Sequence, residues 1–282
     1  MCRYEKAYEL FDMKKFILRG PYFPKHDENL MDSEGSVAIA RQRFLDSRFR
    51  NLDYLLRFRY EWMNQYLVPD SIIVEVGAGA GFSPLYLKQK CIITDAANHP
   101  WIEKYVDATN MDIESKSVDG IIASHNIHHF YSPYKFFKEC ERVLKDNGIV
   151  LVQEINTSLL MRILLRLMRH EGWSYDVNVF DKNEIVNDKS DLWSANCAVP
   201  ELLFDDVSQF KSAFPSLQIE INEPCECLIF PLSGGVISKA KVPELPASIL
   251  NAILVLDRLL VKVSPRIFAL GRRVVIRKVA IH

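Results

Sequence analysis

Residues 72–83, IIVEVGAGAGFS, place three glycines at every second position directly after an apolar, β-forming run. A chain that needs glycine at 77, 79 and 81 is turning tightly, and a tight turn at a strand end brings backbone N–H groups close to a small ligand. The spacing separates the ligands that use such turns. A dinucleotide loop has G-x-G-x-x-G, with the third glycine allowing the helix to pack closely, but Phe82 occupies that position. A phosphate-cradling loop has G-x-x-x-x-G-K-[ST], and this loop lacks that lysine. What is present is E-x-G-x-G-x-G, with Glu75 at its head. A carboxylate there repels a pyrophosphate and suits a ligand with a cationic tail.

The pattern around the loop sets the fold class. Residues 36–67 carry apolar positions at helical spacing among many arginines and read as one or two helices, ended by Pro69-Asp70. Strands and helices then alternate. A strand is predicted at Ile72–Val76, a helix at Ser83–Gln89, strands at Cys91–Thr94 and Val118–Ser124, and a helix at Pro133–Leu144. The KDNG turn and a strand at Ile149–Glu154 follow. Such alternation predicts a parallel sheet covered by helices on both faces. Beyond Ile155 come a helix (159–171), a polar, aromatic loop around 171–196, a helix at 198–213 and a strand-like run LQIEINEP. An amphipathic helix at 246–263 and a last strand, RRVVIRKV, complete the pattern. The reading is one integrated domain: an N-terminal helical cap (1–69), a ligand-binding core (70–156), and a lid and substrate region with returning strands (157–282). The basic residues of the last stretch are expected on a solvated face.

Two further acids follow Glu75. Asp95 ends the second strand, where it suits ribose hydroxyls, and Asp107 in VDATNM lies where the next strand end would approach an adenine amino group. Together the three acids describe a pocket for a nucleoside with a positively charged tail.

Three stretches in this order, VEVGAGAGFS, VDATNMDIESKSVDGIIASHNIHHF and SPYKFFKECERVLKDNGIVLVQEI, resemble class I S-adenosylmethionine-dependent methyltransferases over residues 70–156. The resemblance implies an α/β, Rossmann-like doubly wound sheet, mostly parallel with an antiparallel last strand, carrying N-terminal helices and a lid. It implies S-adenosylmethionine as cofactor. Glu75, Gly77, Ala78 and Gly79 would line the methionine tail, Asp95 would hold the ribose, Asp107 and Ala108 the adenine, and Ser124 would form the floor beneath the sulfonium. Two features depart from that family's pattern: the short AANHPWIEKY between Asp95 and Asp107 reads as a tight loop, and KDNG replaces a proline-glycine-glycine turn. The second half, through RHEGWSYDVNVFD, DLWSANCAVPELLF and FPLSGGV, is more loosely similar to bacterial methyltransferases of surface-polysaccharide and sugar biosynthesis.

Methyl transfer is an in-line displacement, helped for an alcohol acceptor by a base. SHNIHHF offers His125, His128 and His129 just past the fourth strand. His129 is one candidate base, and His170, beside Glu171, is the other. Trp173, Trp193, Asn196 and the Ser233 turn suit sugar stacking and hydrogen bonding, although both tryptophans could equally pack the lid onto the sheet. The expected reaction is metal-independent methyl transfer to a hydroxyl of a sugar, glycan or other small polar acceptor. The alternative is a non-catalytic scaffold that binds the cofactor. A nicotinamide oxidoreductase is disfavoured by Phe82.

The bulk numbers exclude other classes. A net charge of -1 with no basic, aromatic-interleaved groove argues against nucleic-acid partners. Six cysteines lack disulfide or zinc spacing. The opening MCRYEKAYELFDMKKF lacks a signal-peptide core, and the most apolar run, ASILNAILVLDRLLVKV, is broken by Asp257-Arg258. The expectation is a cytoplasmic protein with at most weak peripheral membrane contact.

Overall fold

The computed structural model describes residues 20–25, 36–191, 194–237 and 240–280. The opening segment and Trp193 lie outside the described residues.

Helices α1 (Val37–Ser47) and α2 (Arg50–Tyr60) lead into a 3-10 helix at Glu61–Gln65. The Ser36 hydroxyl accepts the Ile39 N–H at the start of α1, and the left-handed Arg48 ends it. Then come β1 (Ile73–Val76), β2 (Cys91–Asp95), β3 (Lys104–Tyr105), β4 (Val118–Ser124), α3 (Pro133–Val143) and β5 (Leu144–Ile155). The second half adds α4 (Leu159–Met168), α5 (Val199–Phe204), α6 (Val207–Ala213), β6 (Leu217–Cys225), α7 (Ile229–Leu232), α8 (Ala247–Val263), α9 (Pro265–Phe268) and β7 (Gly271–Lys278).

Among the described residues, seven strands form one sheet in the order β3-β2-β1-β4-β5-β7-β6. β1 to β5 are parallel, and β7 runs antiparallel between β5 and β6. This is the Rossmann-like, mostly parallel sheet with an antiparallel last strand. Its central strands are buried on both faces, as their near-continuous Val/Ile runs require. Val74, Ile121, Val150 and Val274 pack toward α3 with Phe136 and Phe137, while Ile73, Ile122, Leu151 and Val275 pack toward α2 with Leu52, Leu55 and Leu56. The chain leaves β1 toward β2 on one side and returns to β4 on the other. That reversal opens a crevice at the carboxyl ends of β1 and β4, the usual ligand position in such sheets.

Several expectations are corrected. The helix expected at Ser83–Gln89 is only a 3-10 turn, Ser83–Leu85. Asn64 explains this: its amide donates to the Tyr86 carbonyl and accepts the Lys88 N–H, taking up backbone groups a helix would pair. KDNG lies within β5 beside a register shift rather than closing a turn before it. The helix at 198–213 breaks into α5 and α6, with the Asp206 carboxylate accepting the Gln209 N–H at the start of α6. The basic last strand is not a solvated face. Arg272 and Lys278 are buried and held by partners: Arg272 donates to Asn156 and pairs with Asp205 at 2.6 Å, and Lys278 donates to the Leu144 carbonyl. Asp257, which interrupts the apolar run of α8, points inward and accepts the N–H groups of Cys227, Leu228 and Ile229. No helix among the described residues is long and apolar enough to cross a membrane.

Candidate active site

The glycine loop joins β1 to the 3-10 turn at the crevice. Gly77 has φ +57°, and a Cβ there would stand 2.8 Å from Asn126 Nδ2, so no side chain fits without moving Asn126. Gly79 has φ +51°, yet a Cβ there would meet nothing within 4 Å. One glycine is needed for close approach to protein, and the other opens onto free space.

Protein groups tie the loop down on every side. The Ala78 N–H donates to the Thr94 carbonyl at 2.9 Å, and the Gly79 N–H donates to Asp95 Oδ2 at 2.8 Å. Trp101 Nε1 donates to the Gly79 carbonyl at 2.9 Å, and Arg41 donates to the Gly81 carbonyl at 2.8 Å. Asn126 Nδ2 donates to the Val76 carbonyl, while its buried Oδ1 has no hydrogen-bond partner among the described residues. A free buried acceptor beside an open glycine cradle fits a ligand with a cationic, hydrogen-bonding end.

The acids of the sequence reading divide into different roles. Glu75, expected to line the methionine tail, is instead enclosed behind the loop. One oxygen accepts from Tyr60 Oη at 3.2 Å and the other from the Ser83 hydroxyl. Burial lifts its carboxyl to about 7 despite those hydrogen bonds. Asp95 ends β2 and bonds the N–H groups of both Gly79 and Ala97, so it fixes the loop at the crevice edge. Asp107 accepts from the Thr109 N–H and hydroxyl and pairs with Lys189 Nζ at 2.9 Å. Burial pushes its carboxyl up, but Thr109 and Lys189 outweigh that and hold it below the usual range. Ala108 is buried beside it, and Ser124 ends β4 opposite Gln153.

Past Ser124 the backbone turns through a left-handed His125 (φ +53°) into a 3-10 turn, Ile127–His129. Glu154, near the end of β5, organises this turn. Its Oε1 accepts the N–H groups of Asn126 and Ile127, each at 2.7 Å, and its Oε2 accepts from His128 Nδ1 at 2.6 Å. On the other side stands Glu171, with Oε2 3.7 Å from His128 Nε2 and Oε1 3.6 Å from His129 Nε2. Burial lowers the proton affinity of His128, but the two carboxylates more than reverse this and hold it up at about 10. Burial pushes Glu171 the other way, yet His128 and His129 hold it well below the usual carboxylate range. His129 Nδ1 donates to the Ser194 carbonyl at 3.2 Å, and its side chain is 29% exposed.

The sequence candidates thus meet unevenly. His129 lies in the cluster. His170 precedes Glu171, but Glu171 is the residue whose side chain reaches the paired histidines. Trp173 and Asn196, expected to touch substrate, are corrected to packing residues. Trp173 is fully enclosed between Tyr22 and Arg166, and Asn196 is fully buried, bonding the backbone of Ser174 and Ala198. Ser233 is likewise buried, its hydroxyl closing a turn between the Phe230 carbonyl and the Gly235 N–H. Sequence reasoning missed Glu154, because an isolated glutamate at a strand end carries no motif. It also missed the reach of Glu171, which depends on how α4 leads the chain back over the sheet. The double histidine was the one available signal.

Residues 74–152 match the family described as a methyltransferase domain. No curated protein matches the chain in sequence. Among solved structures, it is similar to an S-adenosylmethionine-dependent methyltransferase of Thermotoga maritima, with 18% identity and a TM-score of 0.49 over 89% of this chain and 99% of the other. It is also similar to an S-adenosylmethionine-dependent methyltransferase of Archaeoglobus fulgidus, with 16% identity and a TM-score of 0.43 over 89% and 100%. The likeness is to a methyltransferase domain over residues 74–152 and to the fold of these structures.

Proposed function

We propose that the protein transfers a methyl group from S-adenosylmethionine to a hydroxyl of a sugar, glycan or other small polar acceptor, with His129 taking the acceptor's proton. The observation that carries this is the placement of His129. It is a partly exposed imidazole on the turn after β4, and Asn126 of the same turn packs against Gly77 of the loop.

When bound, the cofactor supplies an electrophilic methyl carbon on a sulfonium leaving group. The remaining roles belong to the chain. Gly77, Ala78 and Gly79 line the crevice for the methionine end, and the free Oδ1 of Asn126 is an acceptor for its ammonium. Asp95 is the acid for the ribose, Asp107 and Ala108 border the adenine position, and Ser124 lies on the floor. The acceptor-only Ser194 carbonyl requires His129 Nδ1 to carry a proton, which leaves the Nε2 electron pair available as base. Glu171 then stabilises the imidazolium that forms. Such a base is worth ~10²–10⁴-fold.

Calorimetry with S-adenosylmethionine, beside a Gly79→Arg variant, tests the cofactor site. A radiolabelled methyl assay against nucleotide sugars and glycans tests the rest. His129→Ala is expected to lower kcat by ~10²-fold or more with cofactor affinity kept, whereas His170→Ala retains turnover. Full activity in His129→Ala would overturn the assignment, and binding without turnover on any acceptor would favour a cofactor-binding scaffold.

A further inference from the structure

We propose that His128, His129 and Glu171 form a binding site for a first-row divalent metal ion of the zinc type. The spacing in the sequence offers no metal set, but the fold assembles one from the turn after β4 and the segment after α4.

Three ligating atoms, one from each residue, lie within 4.8 Å of one another. The two Nε2–carboxylate separations, 3.7 and 3.6 Å, are too long for hydrogen bonds. Each ring faces its own oxygen of Glu171, Oε2 for His128 and Oε1 for His129, at a separation near the ~3.4 Å donor–donor spacing of zinc-type bonds. Bringing atoms that lie within 4.8 Å to that spacing takes at most ~1.4 Å of side-chain motion.

The second observation concerns the other nitrogen of each ring. His128 Nδ1 faces the Glu154 carboxylate at 2.6 Å, and His129 Nδ1 faces the Ser194 carbonyl at 3.2 Å. Both oxygens can only accept, so both Nδ1 atoms carry protons, and the Nε2 positions converge on Glu171. The Nε2 positions are the ones left to a metal, which would displace the proton that Glu154 and Glu171 otherwise hold on His128. The carboxylate–histidine and carbonyl–histidine contacts are the outer-shell pattern that fixes a metal-binding tautomer. The Cys197 thiol donates to Glu171 Oε2 at 3.3 Å and steadies the third ligand in the same way.

Two nitrogens and one carboxylate suit zinc and its neighbours rather than calcium or magnesium. Three protein ligands leave a fourth position open, and the partial exposure of His129 (29%) and Glu171 (17%) gives the ion a way in. The site stands independently of the acceptor reading. An ion on His129 Nε2 takes the electron pair used there, so proton transfer through His129 belongs to the metal-free protein.

The test uses the full chain stripped with a chelator, titrated with Zn²⁺ by calorimetry and with Co²⁺ by visible absorption. One equivalent should bind, with Co²⁺ giving the intense bands of a four- or five-coordinate site. Glu171→Gln and His129→Ala should each weaken binding tenfold or more, while S-adenosylmethionine binding reports that the variants fold. If Glu171→Gln fails to fold, the partly exposed His129→Ala carries the comparison. No stoichiometric binding by the intact protein, or unchanged binding in the folded variants, would overturn the site. Metal binding without S-adenosylmethionine binding would sink the transferase reading and leave this one standing.

Discussion

Glu154 Oε2 lies 2.6 Å from His128 Nδ1, deep in the protein, while the other oxygen of the same carboxylate holds the backbone of the turn that carries His128. One side chain therefore sets both the path of the turn and the orientation of its imidazole. Removing one partner of a buried pair leaves the other charge uncompensated. Glu154→Ala should cost about 3–5 kcal/mol in urea unfolding. A loss under about 1 kcal/mol would show that the turn holds without it.

The two loop glycines should respond differently to alanine. Gly77→Ala adds a methyl 2.8 Å from Asn126 Nδ2 to an already left-handed backbone, and should lower stability by about 1–3 kcal/mol. Gly79→Ala carries only the backbone strain, about 1 kcal/mol, because its methyl enters open space. That space is the proposed cofactor crevice, so Gly79→Ala should weaken S-adenosylmethionine binding at least tenfold by calorimetry. Equal affinity in Gly79→Ala and the unaltered protein would place the cofactor elsewhere.

Glu75 makes stability depend on pH with an unusual sign. Burial raises its carboxyl from 4.5 to about 7 in the folded protein. The folded state therefore keeps a proton that the unfolded chain releases. The stabilisation is full below the unfolded value and is lost as pH rises through about 7. It is on the order of 3 kcal/mol at most. Glu75→Gln keeps partners for Tyr60 and Ser83 without titrating. Between pH ~5 and ~8 the unaltered protein should lose stability relative to this variant. A constant difference in urea midpoints across that range would contradict the raised value.

Lys189, between α4 and α5, reaches Asp107 at 2.9 Å, with its own side chain mostly exposed. Such a pair contributes less than about 1 kcal/mol to stability. It does occupy Asp107 Oδ2, an oxygen at the proposed adenine edge. Lys189→Ala should leave the melting temperature nearly unchanged, tighten S-adenosylmethionine binding a few-fold and reduce its salt dependence. Weaker binding would instead make Lys189 part of the cofactor's closure.

The sheet and its ligand loop were legible because their signals are local. The β-branched runs at Ile72–Val76 and Val118–Ser124 and the glycine spacing at 77–81 read directly as strands and a turn. What escaped depends on distant partners. Asn64 cancels the helix that the residues after Ser83 suggest. Trp173 resembles a sugar-stacking residue until Tyr22 and Arg166 enclose it. Glu171 was legible as a neighbour of His170, whereas its side chain serves the histidines of another segment.

The insertion of β7 between β5 and β6 has a consequence for biosynthesis. A ribosome releases β5 and then β6 well before β7, yet among the described residues β6 pairs in the sheet with β7 alone. Until residues 271–278 emerge, one edge of β5 and both edges of β6 carry unpaired backbone groups. Sheet completion is therefore a late, long-range event. Translation pausing or chaperone supply while residues 226–278 are being made should affect soluble yield more than the same disturbance while β1 to β4 are being made.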